Sequence, residues 1–212
     1  RLFNLLPLGI DVAGMAGEAK RQLAQEADYE SEGRFLERYA KLVADEPQLL
    51  MPRVHWDLTT QRVMAMDYMQ GEPLESLRDA PSSRRDAAGT LLEHLLFREL
   101  FEFRVMQTDP NFANYLYQPD SGRVVLLDFG ATRRFDAAFV ANFARITRAV
   151  IDGDRERIAR EAMKIGYLAP DDSPERQGAV VDVVQLVCEP LHHRGRYDFA
   201  ASNLPSRVRD LG

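Results

Sequence analysis

The sequence predicts an α+β fold in which helices and strands follow one another without regular alternation. Three observations predict it. Apolar residues recur at helical spacing in several long segments. Two pairs of short strand-like runs, 53–56 with 62–68 and 114–117 with 123–127, each close about a polar turn. The order is helix, strand pair, breaker, long helix, loop, strand pair, then helices, which is not the βαβα alternation of a doubly wound sheet.

Composition narrows the class. A chain of 212 residues allows one domain or two small ones. With 45% apolar and 28% charged residues it has the mix of a globular protein, which excludes disordered, collagen-like and coiled-coil classes for the whole chain. Asp and Glu number 33 against 27 Lys and Arg, a net charge of −6, so a broad nucleic-acid-binding surface is not expected. Cys188 is the only cysteine and cannot form an internal disulfide; it reads as a small buried residue in an apolar run. No stretch reaches the roughly 18 uninterrupted apolar residues of a membrane span. The chain opens Arg1-Leu2-Phe3-Asn4, without methionine or a signal-peptide pattern, and is expected to begin partway through a longer protein.

Residues 1–15, broken by Pro7, Gly9 and Gly14, read as a loop or short helix. Over 18–43, Leu23, Ala27, Phe35, Leu36, Tyr39 and Val43 mark one helical face; Gly33 weakens its middle, and Pro47 and Pro52 end it. The strands 53–56 and 62–68 flank the polar turn 57–61. Gly71 and Pro73 break the chain before a short helix at 74–79. The clearest helix spans 84–103, with Ser82 or Ser83 as N-cap and Ala88, Leu91, Leu92, Leu95, Leu96, Leu100 and Phe103 as core face. A polar loop covers 106–113. Strands 114–117 and 123–127 fold about Pro119–Gly122. Helices follow at 136–151, with Phe139, Phe143, Ile146 and Val150 inward, then 154–165 and 174–191.

The chemistry concentrates between the long helix and the second ribbon. In Gln107-Thr108-Asp109-Pro110-Asn111-Phe112-Ala113-Asn114, an aspartate and an asparagine are separated by four residues in a loop. Asp128 ends the apolar run Val124-Val125-Leu126-Leu127 and opens Asp128-Phe129-Gly130. The ribbon folds the chain back, so Asp109, Asn114 and Asp128 are expected at one end of it. Magnesium takes hard oxygen ligands and is commonly held by one or two carboxylates plus substrate phosphates. Asp128 and the Asn114 amide oxygen supply such a partial cage, leaving Asp109 to orient or deprotonate a hydroxyl. Gly130 removes a side chain beside the metal ligand and permits a sharp turn.

D-x-x-x-x-N followed by D-F-G resembles the catalytic and metal loops of the protein-kinase fold. Together with Arg98-Glu99-Leu100-Phe101-Glu102-Phe103, the segments 106–114 and 127–133 resemble the UbiB family of atypical kinases over roughly residues 18–200, most closely the branch with mitochondrial members. The resemblance implies a protein-kinase-like fold, with 1–70 a remnant small lobe (helix αC, two strands and hinge) and 71–212 a mostly helical large lobe, incomplete at its C-terminus. It implies Asp109 as the catalytic aspartate, and Asn114 and Asp128 as ligands of Mg2+. It implies Glu26 as the helix-αC glutamate that pairs with a strand lysine, and Glu32 as a further acidic position of the family. Met66, Asp67, Tyr68, Met69 and Gln70 match the hinge that meets the adenine of ATP through backbone groups.

The function implied is binding of Mg-ATP in support of ubiquinone (coenzyme Q) biosynthesis, by ATP-driven handling or phosphorylation of a lipid precursor. The partners implied are nucleotide, lipid quinone precursors, the membrane surface and other enzymes of the pathway, with no nucleic acid. The location implied is cytoplasmic or the mitochondrial matrix side, peripheral to the inner membrane. Two alternatives remain: a non-catalytic pseudokinase scaffold, and a small-molecule kinase of the aminoglycoside or choline type, which usually carries histidine where Gln107 and Thr108 stand. The family's alanine-rich loop and K-x-G-Q segment are absent, as is any glycine-rich loop. Of the lysines Lys20, Lys41 and Lys164, none lies on a strand before Glu26. The expectation is therefore that the 212 residues alone bind nucleotide weakly or not at all and are inactive, whereas the full-length protein is an enzyme.

Overall fold

The computed structural model describes residues 28–109 and 111–211. The readings at 1–15, the start of the first helix, Lys20 and Glu26 lie outside the described residues. The chain divides into two compact units between Arg134 and Phe135.

In the first unit, helix α1 (Tyr29–Leu42) starts where the Asp28 carboxylate accepts the Ser31 N–H at 3.2 Å. Leu36, Tyr39 and Val43 are buried as their spacing requires. Gly33 lowers helix propensity by about 1 kcal/mol relative to alanine. Its compensation is space: a Cβ there would lie 3.0 Å from Trp56 Cη2, so the bare backbone admits the Trp56 ring. Trp56 Nε1 in turn donates to Glu37 Oε1 at 2.6 Å.

The expected strands 53–56 and 62–68 do fold back on each other, but only as isolated bridges, Val54 with Met66 and Thr60 with Val63. Thr59 is the reason the ladder is not continuous. Its hydroxyl donates to His55 O at 2.9 Å and accepts the Ala65 N–H at 3.1 Å, replacing ladder bonds with side-chain ones.

After β1 (Leu49–Leu50) and β2 (Glu72–Pro73), a 3₁₀ turn over Leu74–Asp79 buries Leu74 and Leu77. Helix α2 (Ser82–Phe97) follows. Neither Ser82 nor Ser83 caps it. Pro81 holds the N-cap position with its fixed φ of −52°, and Ser82 is already helical. Leu96 is exposed rather than part of the core face, which runs through Ala88, Leu91 and Leu95 at spacings of three and four. The helix then widens into a π-turn over Arg98–Phe103, which ends at Arg104 in the left-handed region, φ 54°.

Two ladders follow. Strands β4 (Tyr115–Gln118) and β5 (Arg123–Leu126) pair antiparallel; β1 joins β5 in parallel, and β2 joins β4, giving the order β1-β5-β4-β2. Gly71 makes the last junction fit, since a Cβ there would lie 2.8 Å from Leu116 Cβ. The second ladder was not expected: the segment read as loop from Met106 begins as β3 (Val105–Gln107), paired antiparallel with β6 (Thr132–Arg134). Leu36, Tyr39, Leu95, Phe103, Val124 and Phe129 share one core, to which segments on both sides of Gly71 contribute.

The second unit is helical: α3 (Ala137–Ile151), α4 (Arg155–Lys164), α5 (Pro174–Val187), α6 (Glu189–His192), α7 (Phe199–Ser202) and α8 (Leu204–Leu211). Asp136, Asp154 and Ser173 cap the first three, each accepting the N–H three residues on. Ile146, Val150, Ile158, Ala162 and Val181 form its core. Phe139 and Phe143 are half-buried and stack in series with Phe135. The helix expected over 174–191 breaks at Cys188, where Pro190 opens the next helix without a backbone donor.

Candidate active site

Two ladders tie the loop that carries Asp109 and Asn114 to the turn that carries Asp128. At the end of the β4–β5 ribbon, the Leu127 N–H donates to Asn114 O at 3.0 Å, so Asp128 follows directly across from the end of the Asn114 turn. In the β3–β6 ribbon Gln107 pairs with Thr132, and the Thr108 hydroxyl donates to Ala131 O at 2.6 Å. The segment 109–114 is thus tied at both ends to the segment 127–132. Within it, Asn111 caps the short turn Phe112–Asn114 by accepting the Ala113 N–H at 3.0 Å.

Asn114 Nδ2 donates to Asp109 Oδ2 at 3.1 Å. That bond fixes the amide and leaves Asn114 Oδ1 as its free acceptor end. Asp128 Oδ1 accepts the Gly130 N–H at 2.8 Å. Asn114 and Asp128 border the same small cavity, together with Tyr39, Glu99, Gln107, Tyr115 and Phe129. Gly130 does not use its freedom to adopt positive φ. Its contribution is room: a Cβ there would lie 3.4 Å from Asp128 Oδ1 and 3.8 Å from Glu32 Oε2.

Glu32 is the α1 carboxylate that meets this turn. It is 8% exposed. Burial, and then the charge of Asp128, push its carboxyl above the usual range, against the pull of a hydrogen bond from the Phe129 backbone. Its position was legible: Glu32, Leu36, Tyr39 and Val43 follow at spacings of four, three and four, so Glu32 is a charge standing in the apolar stripe. Glu99 is the second such residue, after Leu91 and Leu95, and is 6% exposed. Sequence reasoning gave it no role.

The donor set suits a hard divalent cation. Asn114 Oδ1 and the Asp128 carboxylate are hard oxygen donors on adjacent turns, beside a gap that one methyl group on Gly130 would narrow. Among the described residues no cluster of three or more His, Cys, Asp or Glu side chains would hold a metal alone. The pair is of the kind that phosphate oxygens complete.

The segment 66–70, expected to act as the hinge, is more exposed. Met66 and Tyr68 face solvent, Tyr68 at 89% exposure. The Asp67 side chain is engaged in the hairpin: its carboxylate accepts the Arg53 N–H at 3.2 Å and lies 2.8 Å from His55 Nε2. Hydrogen bonding to His55 holds the Asp67 carboxyl below the usual range. Met69 is half-buried, and Gln70 O accepts a bond from Gln118 Nε2 at 2.9 Å.

Residues 1–162 match the ABC1 atypical kinase-like domain. The chain is 36% identical over 206 residues to the atypical kinase COQ8B, mitochondrial, of Rattus norvegicus, a match covering 97% of this chain and 39% of that protein. It is 30% identical over 210 residues to the atypical kinase COQ8, mitochondrial, of Saccharomyces cerevisiae, covering 97% of this chain and 42% of the relative. The chain spans about two fifths of the length of these relatives. Among solved structures, the complex of Rv3197 with erythromycin from Mycobacterium tuberculosis superposes with a TM-score of 0.74 at 23% identity, over 97% of this chain and 57% of that one. That likeness is one of fold, a kinase-like α+β arrangement. The D-x-x-x-x-N and D-F-G segments, the two ladders that join them and the match over residues 1–162 agree: this chain belongs to the ABC1 family of atypical kinase-like domains.

Proposed function

We propose that this chain is the Mg-ATP-handling part of an atypical kinase or ATPase that supports ubiquinone biosynthesis. The observation that carries the reading is the bond from Asn114 Nδ2 to Asp109 Oδ2, beside an Asp128 that borders the same cavity as Asn114. Asn114 Oδ1 and the Asp128 carboxylate hold Mg2+, and Glu32 adds negative charge behind them. When bound, the metal neutralises phosphate charge. Asp109 keeps Oδ1 for the incoming hydroxyl, orienting it and accepting its proton, while Oδ2 stays with Asn114. Met66, Asp67, Tyr68, Met69 and Gln70 form the segment against which adenine lies, with residues 1–70 belonging to the small lobe and 71–212 to the large one. Glu26 is retained as the lysine-pairing glutamate of the full-length protein.

The relatives' names place them in mitochondria, and no helix among the described residues is long and apolar enough to cross a membrane. We place the protein on the matrix side, peripheral to the inner membrane, with a lipid quinone precursor and other enzymes of the pathway as partners. The test is titration of the full-length protein with a fluorescent ATP analogue, with and without Mg2+, alongside ADP release. Asp128→Asn is expected to lose Mg2+-dependent binding. Asp109→Asn is expected to bind and not turn over. Wild-type turnover by Asp109→Asn would overturn the reading, and retained ubiquinone synthesis in cells carrying that variant would favour a scaffold.

A further inference from the structure

We propose that Gln107, anchored by Glu99, is a positioning residue for Asp109, an inference that rests on the catalytic reading above. Gln107 stands two residues before Asp109, and its side chain turns toward the loop. Its Oε1 accepts the Asp109 N–H at 2.9 Å, which sets the direction of the Asp109 backbone. Gln107 is itself held at two points. Its N–H donates to Glu99 Oε1 at 3.3 Å. Its strand pairs with Thr132, just past the Asp128–Gly130 turn. Glu99 also accepts the Tyr39 hydroxyl, and the Tyr39 ring packs 4.7 Å from that of Phe129. One chain of contacts therefore runs from Phe129 through Tyr39, Glu99 and Gln107 to the Asp109 amide.

Stability alone gives no reason for an amide here. Gln107 Nε2 is buried and finds no acceptor among the described residues. Gln107 also borders a cavity of about 10 Å³, shared with Glu99, Asn114 and Asp128. A buried donor without a partner destabilises a fold, and methionine would match its length without that penalty. What methionine cannot do is accept the Asp109 N–H. The wide turn that carries Glu99 is of a kind found often at functional sites. In this way Gln107 provides an acceptor where related catalytic loops place histidine.

The test uses the full-length protein. Gln107→Met is expected to lower kcat for ATP turnover about tenfold, with KM for ATP within about twofold, because the loop loses its aim while the phosphate ligands stay. Gln107→Glu retains an acceptor for the Asp109 N–H and is expected to recover kcat to within about threefold of wild type. Hydrogen exchange over residues 105–111 should be faster in the Met variant than in the Glu variant, with melting temperatures reported for both. Wild-type kcat and exchange in Gln107→Met would overturn the proposal, as would an equal loss in both variants. If the wild-type protein neither binds nor turns over Mg-ATP, the catalytic reading fails, and the exchange comparison still decides whether Gln107 holds Asp109.

Discussion

Tyr39 Oη donates to Glu99 Oε1 across 60 positions of sequence, inside the core of the first unit. The same ring lies edge-on to Phe103, with centroids 6.2 Å apart, and tilted against Phe129. Tyr39→Phe preserves these ring contacts and removes only the hydroxyl, leaving Glu99 with the Gln107 N–H. The variant is expected to lose roughly 1–3 kcal/mol of stability. Urea denaturation at neutral pH measures this, and an unchanged midpoint would show that the bond contributes nothing.

Burial pushes the Glu99 carboxyl up to about 7, against the opposing pull of the bonds from Tyr39 and Gln107. The native state therefore holds this proton more tightly than the unfolded chain does. The stability that Glu99 contributes is fully present below about pH 4.5 and is lost as the pH rises to about 7. Glu99→Gln removes that dependence. The change in unfolding free energy between pH 4.5 and pH 8 should shrink by roughly 3 kcal/mol. Denaturant melts across that range check it; a slope equal to wild type would mean the carboxyl titrates as an exposed one.

Gly33 and Gly71 separate helix propensity from packing. At Gly33 a new methyl meets the Trp56 ring at 3.0 Å, on a half-exposed hairpin that can shift, and alanine improves helix propensity by about 1 kcal/mol. At Gly71 it meets Leu116 Cβ at 2.8 Å and Tyr117 O at 3.1 Å, and a paired strand cannot give way as easily. Gly71→Ala is expected to destabilise by about 1–3 kcal/mol, and Gly33→Ala by less than half of that. Thermal melts of the two variants rank them; the reverse order would mean that the β2–β4 junction is the softer of the two.

Gly130→Ala should uncouple folding from metal handling. Its methyl would make ordinary contacts, 3.4 Å from Asp128 Oδ1 and 3.8 Å from Glu32 Oε2, so stability should stay within about 0.5 kcal/mol of wild type. In the full-length protein the same methyl narrows the gap beside Asp128, and the Mg2+ concentration for half-maximal nucleotide binding should rise severalfold. An unchanged Mg2+ requirement would place the cation elsewhere.

What was legible in the sequence was local. The β4–β5 ribbon follows from two apolar runs about Asp120-Ser121-Gly122, and it brings Asn114 level with Leu127 as read. The long helix follows from Ala88, Leu91 and Leu95. The β3–β6 ladder was not legible, because Thr132-Arg133-Arg134 carries no apolar alternation and its partner lies 25 or more residues away. The helix N-cap was misread because a proline in extended geometry can hold that position without a side-chain bond. Glu32, named only through the resemblance, and Glu99, given no role, are both legible from the residues alone as charges that interrupt an apolar stripe. Glu99 is masked by Leu96 and Leu100, apolar neighbours that read as the continuation of the stripe.

The change of helical period after Phe97 has a consequence of its own. In an unbroken α-helix, each residue beyond Glu99 would stand about 100° around from the one before it. The π-turn over Arg98–Phe103 inserts a phase slip just where Glu99 ends the stripe of Leu91 and Leu95, and there an ionisable group and an aliphatic one, Leu100, share the interior side by side. Deleting one residue between Glu99 and Phe103 would restore ordinary winding, and in doing so would turn the Phe103 ring away from Tyr39.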